Sequence, residues 1–568
     1  MTDTPNQQPA SEPTPVPVPG GTGLEEGQGA PAAEPGGFIA PTPVRARRRR
    51  WPWMVALAAV AVLGGAAWAF SAVLGGGGPQ PAEALPASTD FYFRLDLDPS
   101  PAQKIAAVRL ARRFPALQGL ADDLEGDLKQ ALFEAAAGQD PDFAEEFDYE
   151  DDIEPWLGDR TGIGVILDDP ARPIPVAVLQ VSDPDAAAEI LPRLLTFEQS
   201  SEPAGFAFVG DYALIAEDQN LADRYAAEAE AGSLADSDNF AQVHGALGDL
   251  GIASMWMDAD LDDLMSSGFT AAGDPATVGA MPAATQPGQG RLTMAAAVRL
   301  DAEHVDLAGV VVPSDELMAL LPQSAPAGDA DAAARIGRLP ATTLLGIAIA
   351  GVDLSADERA RLWDQLTSNQ SGPEFGQFAA ELEEQFGITL PDDYFDLFSN
   401  DITLSLDMAI FDFEESFGVG AAGFPFAAIF DTTAASGREA VTKLVGLVET
   451  SGFELAVEDD DSTIVVAASG DYLRTLTGEA TALLSDSGEA ARAVGTDDPV
   501  NMAMFLNVEA LIDELGVGGA LAGSVSDEVR ENLEPFQTVG ITAWWDDLGG
   551  DDAGSSNFRI RVTVGEEE

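Results

Sequence analysis

The chain has 568 residues, 46% of them apolar, enough for a sizeable core and for about two to four domains of ordinary size. Its formal net charge is −68, from 96 acidic and 28 basic residues, and so acidic a surface argues against nucleic-acid binding because it repels phosphate backbones. There is no cysteine and only two histidines, His244 and His304, so disulfides and thiolate chemistry are excluded and any imidazole chemistry must use one of those two.

Residues 1–50 read as a disordered, Pro/Gly-rich cytoplasmic tail with a basic end. Ten prolines fall within residues 1–44, and such a segment buries too little apolar surface to offset its ordering entropy. Arg47 to Arg50 are followed by Trp51-Pro52-Trp53, and Met54 to Leu74 is then an uncharged stretch of 21 residues. That is about the length needed to cross roughly 30 Å of hydrocarbon. The expectation is a transmembrane helix over 53–74. Arginines before it and none just after place the N-terminus in the cytoplasm and the C-terminal region outside, as in a single-pass protein of the cytoplasmic membrane. A cleaved signal peptide ending at Ala67-Trp68-Ala69 is the rival reading, and the long preceding region argues against it. Residues 75–84, with Gly75 to Gly78, form a flexible hinge.

The region beyond repeats itself. Leu85-Pro86-Ala87-Ser88-Thr89 matches Leu339-Pro340-Ala341-Thr342-Thr343, and alternating apolar residues follow each: Phe91, Phe93, Leu95, then Leu345, Ile347, Ile349. Period two predicts a strand with one buried face. A helix start follows in both, at Asp98-Pro99 and at the capping-box pattern Ser355-Ala356-Asp357-Glu358. Asp159 to Leu167 parallels Asn400 to Met408, Pro175 to Val181 parallels Pro425 to Phe430, Gly210-Asp211-Tyr212 recurs as Gly470-Asp471-Tyr472, and Ser254 to Leu264 parallels Asn501 to Leu515. Each copy closes with a hairpin. The predicted fold class is α+β: two tandem copies of a mainly antiparallel sheet with helices on one face, preceded by the transmembrane helix and the tail. The first repeat spans 85–321, the linker 322–338 and the second repeat 339–565, whether as two domains or one sheet.

At Leu85-Pro86-Ala87, Asp96-Leu97-Asp98-Pro99-Ser100 and Gln103-Lys104 the chain resembles a bacterial, largely actinobacterial, domain-of-unknown-function family of single-pass membrane proteins with an acidic outer region. The resemblance covers roughly residues 75–565, implies topology alone, and carries no functional residues.

Few constellations bear chemistry. Asp258-Ala259-Asp260-Leu261-Asp262-Asp263 begins like a calcium loop but has Asp263 at the sixth place and Phe269 at the twelfth, where Gly and Glu are required. It reads instead as acids favoured at a helix N-terminus. The acidic run Glu145 to Glu154, with Phe143, Phe147 and Tyr149 interleaved, reads as a solvated loop. Glu458 to Asp461 and Asp546 to Asp552 read as hairpin turns, His304 as an exposed turn residue and His244 as a helix-flank residue. The stretch 265–290 is long and carries Asp274 as its one charge, and reads as disorder or a flap. No residue is assigned a catalytic, cofactor-binding or metal-ligating role, and no cofactor is implied. The functional expectation is a non-enzymatic binding or scaffolding module of the cell envelope, partnered by the membrane through one helix and by an envelope protein. The alternative is a carrier or sensor of an apolar ligand held between sheet and helices. A deep apolar pocket favours that alternative, and a cleft of converging acids with shifted pKa favours an enzyme.

Overall fold

Period-two runs become strands throughout the computed structural model, which describes residues 80–565 except 98–100, 119–127, 170–171, 198–203, 261–290, 315–330, 368–372, 412–422, 433, 451, 479–481, 496–498, 518–526 and 547–554. The first half supplies β1 (Phe91–Asp96), β2 (Leu157–Ile166), β3 (Ile174–Val181), β4 (Gly205–Val209), β5 (Tyr212–Ala216), β6 (Ala253–Asp260), β7 (Arg291–Leu300) and β8 (His304–Pro313). The second supplies β9 (Thr343–Ile349), β10 (Asp401–Asp407), β11 (Phe426–Asp431), β12 (Ala456–Asp459), β13 (Thr463–Ala467), β14 (Met502–Asn507), β15 (Phe536–Asp546) and β16 (Ser555–Val564).

All sixteen strands lie in one antiparallel sheet. From one edge inward the order is 4-5-3-2-1-6-7-8, and from the other edge 12-13-11-10-9-14-15-16. The two halves thus share one path and meet at β8 and β16. The expectation of two tandem sheets is corrected to one continuous sheet. The physical reason is edge pairing: β8 and β16 would each leave a long unpaired ladder, and they satisfy each other from His304↔Thr563 to Val311↔Ser556. Asp306 clasps the seam, accepting from Arg561 Nε and Nη2, both at 2.6 Å. Gly309 lies opposite Phe558, and a Cβ there would fall 2.2 Å from that ring.

The first-half helices are α1 (Pro101–Arg113), α2 (Leu128–Gln139), α3 (Pro141–Glu146), α4 (Pro184–Thr196), α5 (Gln219–Ala231) and α6 (Asp238–Leu247). The second-half helices are α7 (Ala332–Gly337), α8 (Ala356–Thr367), α9 (Pro373–Phe386), α10 (Asp392–Phe398), α11 (Ala435–Thr450), α12 (Gly470–Thr477), α13 (Leu484–Ser487), α14 (Glu489–Val494), α15 (Val508–Val517) and α16 (Asp527–Leu533). The Ser355 pattern does open α8: the Glu358 carboxylate accepts from the Ser355 N–H at 2.9 Å.

Helices cover both sheet faces, which corrects the one-face expectation. Val176, Val178, Tyr212 and Leu214 point into a core with Tyr225 of α5 and Val243 of α6, while Ala177, Val181, Ala213 and Ile215 point the other way, against Leu191 of α4. β5 is buried at all five positions, a run that needs cover on both sides. In the second half Ala503 and Phe505 meet Ile336 and Val494 on one face, and Phe430 and Ile464 meet Val441 on the other.

Two further expectations change. Gly210-Asp211-Tyr212 turns from β4 into β5, whereas Gly470-Asp471-Tyr472 opens α12, so that match is not a structural one. The tail 1–50, the expected transmembrane helix 53–74 and residues 75–79 of the hinge lie outside the described residues, as do 322–330 of the linker. Among the described residues no helix is long and apolar enough to cross a membrane, and the single-pass membrane expectation is corrected on that finding. The longest, α11, has 16 residues. It would reach only about 24 Å, and it carries Arg438, Glu439, Lys443 and Glu449.

The clasp generates a prediction. Burial alone would raise the Asp306 carboxyl, but bonds from Arg561 and His304 outweigh it and hold the group well below the usual carboxylate range. A carboxyl held low stabilises the fold above its unfolded pKa of about 4 and loses that contribution as pH falls. Asp306→Asn is expected to lower stability by roughly 1–3 kcal/mol at neutral pH in urea unfolding. The gap from wild type should narrow as pH drops below about 4. A gap that stays constant into strong acid would remove the clasp as its source.

Candidate functional site

β1 and β6 are neighbours, with Tyr92 opposite Trp256 and Arg94 opposite Ser254. Side chains alternate across a strand, so one face presents Tyr92, Arg94 and Asp96 from β1 and Ser254, Trp256 and Asp258 from β6, with Asp90 just before β1. Helix α6 covers this face. It starts where the Ser237 hydroxyl accepts from the Phe240 N–H at 3.3 Å. Phe240 stands edge-on to Trp256 with centroids 5.6 Å apart, edge-on to Tyr92 at 5.7 Å, and stacked on His244 at 3.8 Å. A polar and aromatic column therefore runs beneath α6.

One end of the column opens into a cleft of about 310 Å³ lined by residues 87–90, Ser237, Asp238, Asn239, Trp256, Asp258 and Arg291. Asp258 is buried and fully engaged. Its Oδ1 accepts from Arg291 Nε at 2.6 Å and Thr293 Oγ1 at 2.9 Å, and its Oδ2 accepts from Asn239 Nδ2 at 2.8 Å. Asp90 Oδ2 accepts from the Leu167 N–H at 2.7 Å. Burial raises the Asp90 carboxyl, against the opposing pull of that bond and of Arg291.

The other end is a buried charge cluster. Arg94 donates to Gln80 Oε1 at 3.0 Å, to the Gly251 carbonyl at 3.2 Å and to Asp96 Oδ2 at 2.8 Å. Between the ends, Trp256 Nε1, Ser254 Oγ and His244 Nε2 are buried without a hydrogen-bond partner. Such orphans are uncommon in a settled core.

The second half serves as an internal control, because β9 and β14 repeat the β1–β6 register: Leu345 pairs with Leu506 as Phe91 pairs with Met257. At the positions of Asp90, Tyr92, Arg94 and Asp96 stand Leu344, Gly346, Ala348 and Ala350. At those of Ser254, Trp256 and Asp258 stand Ala503, Phe505 and Asn507. The buried cation is still supplied, now from α7: Arg335 meets Asp401 at 3.2 Å, and Asp401 occupies the place of Arg160. The charge cluster is thus a requirement of the fold met twice, by different elements. The polar cleft belongs to the first half, as do the unpartnered Trp256, Ser254 and His244 atoms beneath α6; the second half has buried atoms without a partner elsewhere, at Arg335 Nε and Thr542 Oγ1.

The groups singled out in the sequence fall elsewhere or play other parts. Asp258 and Asp260 lie within β6, which corrects their reading as helix-start acids, and both pair with Arg291. Residues 261–263 and the stretch 265–290 lie outside the described residues. Among the described residues no cluster of His, Asp or Glu is placed to hold a metal ion. The run Glu145 to Glu154 is not a free loop. Phe143 meets Phe133, Phe147 and Phe197, Asp148 caps the turn Tyr149–Ile153, and Arg193 bonds Glu146 and Asp152. His304 opens β8 and approaches Asp306 at 3.6 Å instead of standing free. Missed altogether were Asp90, Trp256, Asn239 and Arg291. The comparison of Trp256 with Phe505 and of Asp258 with Asn507, at matching places in the two copies, carried the available signal.

Residues 53–202 match the model of a family described as "protein of unknown function (DUF3352)". The match takes in β1, β2, β3 and α4, and so Asp90, but stops short of Asn239, Asp258 and Arg291. No curated protein and no solved structure matches the chain.

Burial holds the His244 imidazole down, to about 4, with Arg94 acting in the same direction and the Phe240 carbonyl against it. An unfolded imidazole titrates near 6.5. Between about 6.5 and 4 the unfolded chain therefore binds a proton that the folded chain refuses, and stability falls as pH drops through that window. His244→Val, which replaces the imidazole by an apolar side chain, is expected to flatten this loss by on the order of 2 kcal/mol in denaturant unfolding at pH 7 and pH 4.5. An unchanged pH slope would mean that His244 is protonated in the folded chain.

Proposed function

We propose that the protein is a binding module that holds a small polar ligand in the first-half cleft. The observation that carries this reading is the asymmetry between the halves. At the cleft end of one register, on two copies of one fold, the first half places Asp90, Trp256 and Asp258 where the second has Leu344, Phe505 and Asn507. A half-open cleft with a buried indole on one wall and a few fixed polar groups is a form that small-molecule sites take. Asp90 offers an acceptor oxygen beyond the one bonded to Leu167. Arg291, with its side chain 43% exposed, holds Asp258 and retains donor capacity toward the cleft. The matching ligand offers a donor to Asp90 and an acceptor to Arg291.

Binding is favoured over paired-carboxylate catalysis because that chemistry takes two carboxylates able to act on one bond. Asp258 is committed to three donors, and Asp238 is exposed at the start of α6. The polar lining also favours such a ligand over the apolar one of the alternative expectation.

The test is a thermal-shift and calorimetric screen of small zwitterions and amines against the full chain. At least one compound is expected to raise the melting temperature, and Asp90→Asn and Arg291→Gln should each weaken it by about tenfold or more. Compounds that bind equally well to both variants would move the site elsewhere, and a screen with no stabilising compound would count against the proposal.

A further inference from the structure

The sheet has two outer edges, and its halves treat them differently. At one edge Phe206 of β4 pairs with Ile215 of β5, and at the other Val457 of β12 holds the same place, pairing with Val466 of β13. The main chain of Phe206 faces outward and is met there by a side-chain amide. Gln219 Oε1 accepts from the Phe206 N–H at 3.3 Å, and Gln219 Nε2 donates to the Phe206 carbonyl at 2.9 Å. One amide thus stands in for a neighbouring strand and closes the edge. Gln219 is the first residue of α5. The first residue of α12 is Gly470, which has no amide to offer.

Among the described residues the β12 edge is consequently open. The Asp460 N–H donates to the Thr463 carbonyl at 3.0 Å, and bonded and non-bonded pairs alternate along an antiparallel ladder. Glu458 and Ala456 therefore turn their main-chain groups toward β13, and Val457 and Asp459 turn theirs outward. Val457 is 43% exposed. Around it Glu454, Glu458, Asp459, Asp460 and Asp461 are all exposed, with Arg438 bonded to the Asp459 carboxylate and the Asp460 carbonyl.

We infer that the β12 edge takes up an extended, cationic segment of a partner protein as an added strand. The ladder of outward N–H and C=O groups supplies the docking mode, and the acids select the occupant. Like charges facing each other across a ladder repel. An acidic strand is refused on that ground, and so is the β12 of a second copy, while alternating Lys or Arg side chains find opposite charge on both sides of the outward residues.

The test uses the full chain and a fluorescein-labelled peptide of alternating Lys and Val, followed by anisotropy at about 0.15 M salt, where long-range attraction is largely screened. Saturable binding is expected. A peptide of the same charge with alternate backbone amides N-methylated should bind about tenfold more weakly or worse. Gly470→Gln should weaken the unmodified peptide by a similar factor, because it installs the missing plug at a place where a Cβ meets nothing within 4 Å. Val457→Pro should do the same by deleting an outward N–H while the bonds to β13 remain. Both variants should melt as the wild type does, and the N-methylated probe tests the idea even if one does not. Equal binding of the two peptides, indifference to both substitutions, or no binding of the alternating peptide overturns the inference. So does a wild-type dimer in sedimentation that dissociates in Gly470→Gln, since a second copy would then occupy the edge.

Discussion

The antiparallel pairing of β8 with β16 is the contact on which the rest of the molecule depends. Each of these strands ends the inward run of one half, and each would otherwise present a long bare ladder at the centre of the protein. The seam is specific as well as satisfying. Arg561 reaches Asp306 with two donors of a rigid fork, a geometry that a register slip would break. Gly309 gives up its side chain so that the Phe558 ring can lie over the partner strand. With the seam fixed, the two halves are held in one sheet and their helices are distributed over both faces.

Duplication then lets each half explain the other. A polar group present in both halves answers to the fold, and one present in a single half has to be explained by something else. By that standard the buried arginine near the start of each half is architectural. Arg94 on a strand and Arg335 on a helix bring a guanidinium to the same region, against Asp96 in one half and Asp401 in the other. The column that ends in Asp90 and Asp258 has no counterpart, and neither does the side-chain amide that seals the β4 edge. The halves have kept a common path and diverged at one buried face and one outer strand.

Part of this was legible in the sequence. Alternation after Pro86 and after Pro340 marks β1 and β9, and the Ser355 pattern marks the start of α8, because both signals are local and each has one physical meaning. The continuity of the sheet was not legible, since pairing His304 with Thr563 joins residues nearly half the chain apart and leaves no local trace. Asp258 and Asp260 misled for a similar reason. Acids at a segment end suit a helix start, and only the position of Arg291 on the next strand shows that they belong inside β6. The cleft escaped because its members come from four separate segments, and because Trp256 within an alternating run looks like any other core residue.

The seam also dictates an order of events as the chain is made. β8 is complete once residue 313 is in place, but its partner begins at Ser555. At roughly 5–20 residues per second of synthesis, that strand waits on the order of ten seconds to a minute with its outer ladder open. During the wait the exposed edge is guarded by Asp306 and by its neighbour Glu303, and every nascent copy on the same messenger carries the same charge there. Like charges that face each other across a ladder repel, so Asp306 works against a second unfinished copy pairing there before the closing strand is made.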